Sequence, residues 1–316
     1  MKLINSLKAV AAAGALIAGA SFGTATTAAA GGTLTAPDAD WTGGVVTCRV
    51  IQHILENEMD YKVKTIVMPS GPGVAEGLRS GDLDFACESW PSYSTIKEKY
   101  ITEWGGDGSV LKLGDSGIVG LSSYFVPRYL VEGEGALAPD LKTWEDMNKY
   151  SDLFKTTETG DKGRLLGCPV AAWQCEDQKR MDALGLNFHP VELGSETAHW
   201  AEMKAAFNRK EPFIAYAWSP HWIHASLDLV EIILPDHSDE KWPATGWAKD
   251  ITFNYGAPSM LTDHPKAAQL IINSNLGNVQ QAGMILAIDV DGRDMDEVVE
   301  EWMEANEDTW RAWIPE

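Results

Sequence analysis

Three tryptophans share one local context, each just past the end of an expected strand. They are Trp90 in Phe85-Ala-Cys-Glu-Ser-Trp-Pro91, Trp173 in Cys168-Pro-Val-Ala-Ala-Trp-Gln-Cys175, and Trp218 in Ile214-Ala-Tyr-Ala-Trp-Ser-Pro220. Trp41, at the end of the first expected strand, makes a fourth. Ligands of open α/β sheets collect beyond the carboxyl ends of the strands, so indole faces gathered there can wall a small cage. A ring quadrupole attracts positive charge without needing an N–H, so such a cage suits a cation that cannot donate hydrogen bonds. A quaternary or trimethylated amine is the ligand this chemistry points to. The flanking Pro, Ser and Gln residues suit exposed loops. Trp144, Trp302, Trp310 and Trp313 instead stand among apolar neighbours on expected helices and read as packing.

Polar groups near these rings are few. Glu88 lies two residues before Trp90, so on a strand both project to one side. It could balance a ligand's charge or, protonated, hydrogen-bond an N-oxide. Tyr216 alternates with Trp218 and shares its face, and Trp222, Glu132 and Glu134 are further candidates. Cys168 and Cys175 are spaced to clip one loop as a disulfide, whereas Cys48 and Cys87 read as buried thiols. Asp289-Val-Asp-Gly-Arg-Asp-Met-Asp-Glu297 lacks the spacing of a calcium loop. It reads as a Gly turn followed by Asp294 as helix N-cap with Glu297 completing a capping box. His221 and His224 are the nearest histidines and have no Cys or acid beside them, so no metal is expected. No catalytic set or phosphate-binding glycine loop stands out, because Ser70-Gly-Pro-Gly73 matches neither nucleotide fingerprint. Neither a cofactor nor an enzymatic activity is expected.

The elements that must position these residues follow from pattern. The chain has 316 residues, with 46 acidic against 25 basic side chains and a net charge of −21. That balance disfavours nucleic acid and anionic membranes as partners. Lys2 and Lys8, the apolar run Ala9–Phe22 and Ala28-Ala-Ala30 read as a secretory signal peptide cleaved near Ala30. The run is too short to span a membrane, and the expected destination is a bacterial periplasm. Beyond it, strands at Thr33–Ala36, Lys62–Met68 and Phe85–Cys87 alternate with helices, a βαβαβ pattern. Gly117–Val126 reads as a crossing strand. A second unit has strands Leu165–Cys168, Phe188–Leu193 and Phe213–Trp218, with helices up to Leu184 and over Glu196–Asn208. Leu229–Pro235 is expected to return the chain to the first unit, followed by strand Ile251–Tyr255 and helices Pro265–Leu286 and Asp294–Ala305. The expected fold is α/β and two-lobed, each lobe a doubly wound sheet flanked by helices. Residues 31–121 and 230–316 form lobe 1 and 122–229 lobe 2, with the Trp loops meeting in the cleft.

The chain resembles the periplasmic substrate-binding proteins (type II, Venus-flytrap) of ABC importers for glycine betaine, choline and related amines. Gly81-Asp-Leu-Asp-Phe-Ala-Cys-Glu-Ser-Trp-Pro91, Gly167-Cys-Pro-Val-Ala-Ala-Trp-Gln-Cys-Glu176 and Tyr216-Ala-Trp-Ser-Pro-His-Trp222 carry the resemblance. It implies that Trp90, Trp173 and Trp218 enclose a trimethylammonium head. It also implies that backbone groups of Gln174 and Cys175 face the ligand's anionic end, and that a membrane permease is the partner of a monomer. One departure matters. Tyr93 stands where betaine-binding relatives place a histidine, which favours a compact ligand with one oxygen, such as trimethylamine N-oxide, over a carboxylate.

Overall fold

The computed structural model describes residues 31–93 and 96–316; the signal-peptide assignment of residues 1–30 lies outside them. Strands β1 (Gly32–Asp38) and β2 (Tyr61–Val67) pair in parallel, joined by the helix Thr42–Glu58. That helix buries Val46, Val50, Ile51 and Ile54, which recur at helical spacing, in the same core as Leu34 and Ala36 of β1. β3 (Phe85–Ser89) follows Asp84, whose N–H donates to Thr35 O at 2.8 Å and whose carboxylate accepts Thr35 N–H at 2.7 Å.

One long strand, β4 (Leu111–Pro127), ties the molecule together. Its first half pairs antiparallel with β9 (Asp250–Gly256), which also pairs with β3. Its second half pairs antiparallel with β7 (Ile214–Ser219) and β8 (Leu229–Ile232). β7 continues in parallel to β5 (Gly163–Leu166), and β5 to β6 (Phe188–Val191). The result is a mixed sheet in the order β3-β9-β4-β7-β5-β6, with β8 on β4.

Apolar side chains gather in separate clusters on either half of β4. One contains Leu34, Ile51, Phe85 and Ile271, with a smaller neighbour around Leu78 and Phe253; together these are the first core. The second core contains Tyr124, Leu165, Phe188, Trp200 and Tyr216. β8 lies on the second-core half of β4, and Trp247 packs there too before β9 begins at Asp250.

Two features differ from the sequence expectations. Cys48 and Cys87 are disulfide-bonded, not free thiols, because helix Thr42–Glu58 lies across β3 and brings their Cα atoms to 5.4 Å. The Cys168–Cys175 clip is present as expected. The single helix expected over Pro265–Leu286 is two, Pro265–Asn273 and Asn278–Asp289. The break lies against β4, where Leu276 N–H donates to Ser116 O at 3.0 Å, and Gly277 takes φ 84°.

Candidate ligand site

Trp41, Trp90, Trp173 and Trp218 line one cavity of about 90 Å³, together with Glu88, Tyr93 and Tyr216. A water needs about 10–15 Å³ of such space, so the cavity has room for a compact solute of several heavy atoms. Trp41 occupies the N-cap position of helix Thr42–Glu58 with extended backbone, φ −149° and ψ 143°. Its ring folds back over the first turn. A Cβ on Gly43 would meet Trp41 Cζ3 at 2.6 Å, and one on Gly44 would meet Trp41 Nε1 at 2.7 Å. Trp90 follows β3 and stands edge-on to Trp41 with centroids 6.0 Å apart. Its ring lies over β4 at Gly120, where a Cβ would meet Trp90 Cζ3 at 2.1 Å. From the second core, Trp173 and Trp218 meet edge-on at 5.6 Å.

Carboxylates hold two of the four rings. Trp90 Nε1–H donates to Glu88 Oε1 at 3.1 Å. Trp173 Nε1–H donates to both oxygens of Asp40 at 3.1 Å, across from the second core to the first. The cores also touch at Gly71, where a Cβ would meet Ala172 O at 2.5 Å.

Glu88 is 4% exposed. It shares the cavity side with Trp90 as expected, but through a β3 irregularity rather than a regular pleat. The register with β9 shifts between Ala86 and Ser89, and Glu88 takes φ 57°, a left-handed conformation that costs a non-glycine residue energy. Glu88 Oε2 accepts Thr47 Oγ1–H and Gln281 Nε2–H, each at 2.5 Å. Burial pushes the carboxyl up to about 7, against the downward pull of Thr47, Trp90 and Gln281. Across the cavity Tyr93 OH bonds Ser122 Oγ and lies 2.6 Å from Tyr216 OH. Burial raises both phenols, keeping their protons in place.

Five residues singled out in the sequence do not reach the cavity wall. Trp222 is buried outside it, its Nε1–H donating to Asp289 Oδ2 at 3.0 Å. Glu132 is exposed and pairs with Arg128 at 2.7 Å, because the short helix Arg128–Val131 turns it to solvent; Glu134 is exposed as well. Gln174 N–H is consumed by Ala171 O at 3.1 Å, so it is not free for an anion. Cys175 is buried in its disulfide, and its carbonyl accepts from Arg180 at 3.2 Å. His221 does have acids nearby, Glu196 at 3.3 Å and Asp289 at 3.9 Å, which only the fold brings together. Asp294 caps its helix as expected, accepting the N–H groups of Asp296 and Glu297. Sequence reasoning missed Asp40, Thr47, Gln281 and the three glycines under the rings. Of these, only Gly43-Gly44, two residues after Trp41, left a readable signal.

Two α/β halves on one long strand, with an aromatic cavity where they meet, define a substrate-binding protein of the periplasmic type. A family model for the substrate-binding domain of ABC-type glycine betaine transport systems matches residues 32–305, and the chain belongs to that family. It is 26% identical over 293 residues to the trimethylamine N-oxide-binding protein of Pelagibacter ubique (strain HTCC1062), covering 87% of this chain and 88% of that protein. Among solved structures, it is similar to the glycine betaine/L-proline-binding protein of Borrelia burgdorferi, with TM-score 0.73, 16% identity, and 90% and 97% of the two chains covered. A choline-binding protein of an ABC transporter in complex with choline gives TM-score 0.72, 18% identity, and 89% and 92% covered. The α/β fold is that of periplasmic binding proteins.

Proposed function

We propose that the protein carries a small trimethylated amine, trimethylamine N-oxide first, then glycine betaine and choline, to the permease of an ABC importer. The observation that carries this reading is the convergence on a single cavity of Trp41, from the start of helix Thr42–Glu58, and Trp90, from the end of β3, with Trp173, from the loop after β5, and Trp218 of β7. Each desolvated face contributes on the order of 0.5–2 kcal/mol to a cation. Burial of the methyl groups adds a hydrophobic gain of similar size, from which ordering costs are subtracted. The name of the Pelagibacter ubique relative supports the N-oxide as first choice.

The ligand oxygen meets Glu88. Its Oε1 accepts only the Trp90 bond, and a carboxyl near 7 keeps its proton when an anionic oxygen needs a donor. Tyr93 and Tyr216 add phenol hydroxyls to the cavity wall as further polar contacts. The lobes are 31–121 with 230–316 and 122–229; the pairing of β8 with β4 favours moving the second boundary toward Asp250. A ligand touching both sides stabilises the closed arrangement because it binds that state better. The protein acts as a monomer in the periplasm after loss of residues 1–30, and it transports without catalysis.

Intrinsic fluorescence titration with trimethylamine N-oxide, glycine betaine, choline and maltose tests this. Saturable responses to the amines and none to maltose are expected. A response to maltose alone would replace the amine with a stacked sugar.

A further inference from the structure

Helix Thr42–Glu58 begins immediately after a cavity tryptophan and has no cap of its own. Trp41 offers no side-chain acceptor, and no acid stands in the first turn. The free N–H groups of a helix start need acceptors. One is found far away in sequence: Thr42 N–H donates to Glu196 Oε2 at 2.8 Å. Glu196 is 5% exposed and opens the second-core helix Glu196–Asn208, itself capped by Ser195. Two helix N-termini therefore face one buried carboxylate, and both positive ends favour it.

The contact is reciprocated. Asp289 ends helix Asn278–Asp289, which packs with the first core. It accepts Thr42 Oγ1–H at 2.8 Å and, from the second core, Trp222 Nε1–H at 3.0 Å. Between the two acids sits His221, its side chain 1% exposed. His221 Nδ1 accepts Ile223 N–H at 3.3 Å, which leaves Nε2 on the side of the carboxylates, 3.3 Å from Glu196 and 3.9 Å from Asp289.

We propose that Glu196 and Asp289 form a latch between the cores, fixing Trp41 in the cavity wall and slowing ligand release. Neither carboxylate lines the cavity, so both are positioning residues. The inference rests on reading the cavity as the site of a bound amine.

Thr42→Pro tests it by removing the N–H and the hydroxyl together. Proline is tolerated at the first helical position. Trp41 already holds the extended conformation that a residue before proline adopts. Trp222→Phe removes only the donor to Asp289. In stopped-flow fluorescence with trimethylamine N-oxide, dissociation is expected to rise about tenfold for Thr42→Pro and about threefold for Trp222→Phe, the size of a lost cap and a lost hydrogen bond. Association should stay within about twofold, because effects of this kind fall mostly on dissociation. A merely structural role would lower the urea midpoint of Thr42→Pro and leave dissociation unchanged.

Closure is also readable without ligand, by spin-label distances between Val67→Cys and Leu137→Cys, sites 83% and 60% exposed. Longer distances in Thr42→Pro support the latch. Unchanged distances with unchanged dissociation in both variants overturn it. Should the unaltered protein ignore all three amines, the ligand reading fails, and the distances still decide the latch.

Discussion

The molecule contains two aromatic boxes, and only one of them is filled by the protein itself. In the second core the Arg180 guanidinium lies 3.7 Å from the Trp247 ring centre, 4.8 Å from Trp242 and 5.8 Å from Tyr124. Its N–H groups donate to Thr245 O at 2.8 Å, Tyr124 OH at 3.1 Å, Cys175 O at 3.2 Å and Asp177 Oδ1 at 3.3 Å. A donor-rich cation thus sits in a box that supplies faces and acceptors together. The cavity box differs. Among the described residues, no lysine or arginine is recorded over Trp41, Trp90, Trp173 or Trp218. The acids nearest these rings, Glu88 and Asp40, accept indole N–H groups instead of a side-chain cation. The contrast teaches that acceptor content distinguishes a structural box from one suited to a donor-free ammonium.

Emptying the filled box should have the largest effect. Arg180→Leu leaves buried Asp177 without its partner, and urea unfolding should show a loss of about 3–5 kcal/mol. A loss below about 1 kcal/mol would remove the structural role of that box. Crowding the cavity box comes next. In Gly120→Ala the new Cβ displaces Trp90, and calorimetry should show amine affinity falling by about 1–3 kcal/mol, the usual cost of overpacking. Trp173→Ala should weaken binding at least about tenfold, or about 1.4 kcal/mol. Because Trp173 is only half-buried, stability should fall far less than in Arg180→Leu; equal losses would erase the contrast.

The smallest effect is the pH response of Glu88, whose carboxyl burial sets near 7. The proton that donates to an N-oxide oxygen is present below that value and lost above it. Affinity for trimethylamine N-oxide should therefore fall about tenfold from pH 6 to pH 8. Choline, which needs only the negative charge beside its ammonium, should bind more tightly over the same range.

Much of this was legible because it is local. The strand-end position of Trp90, Trp173 and Trp218 and the spacing of Cys168 and Cys175 follow from a few neighbouring residues. What stayed hidden depends on elements meeting in space. Cys48 reaches Cys87 only when helix Thr42–Glu58 crosses β3. Trp222 looked like the other tryptophans, but a bond to Asp289 decides where its ring goes. Gly120 gave no signal at all, since its requirement is the Trp90 ring lying over β4. Glu196, also missed, left a trace of its own: a helix start with neither cap nor acid implies that an acceptor arrives from elsewhere.

A crystal structure with trimethylamine N-oxide bound tests the central claim most directly. The account predicts the ligand nitrogen within about 6 Å of the ring centres of Trp41, Trp90, Trp173 and Trp218, the range over which a cation engages an aromatic face. The ligand oxygen should lie against Glu88. A ligand bound elsewhere, or one contacting rings from a single core, would contradict it.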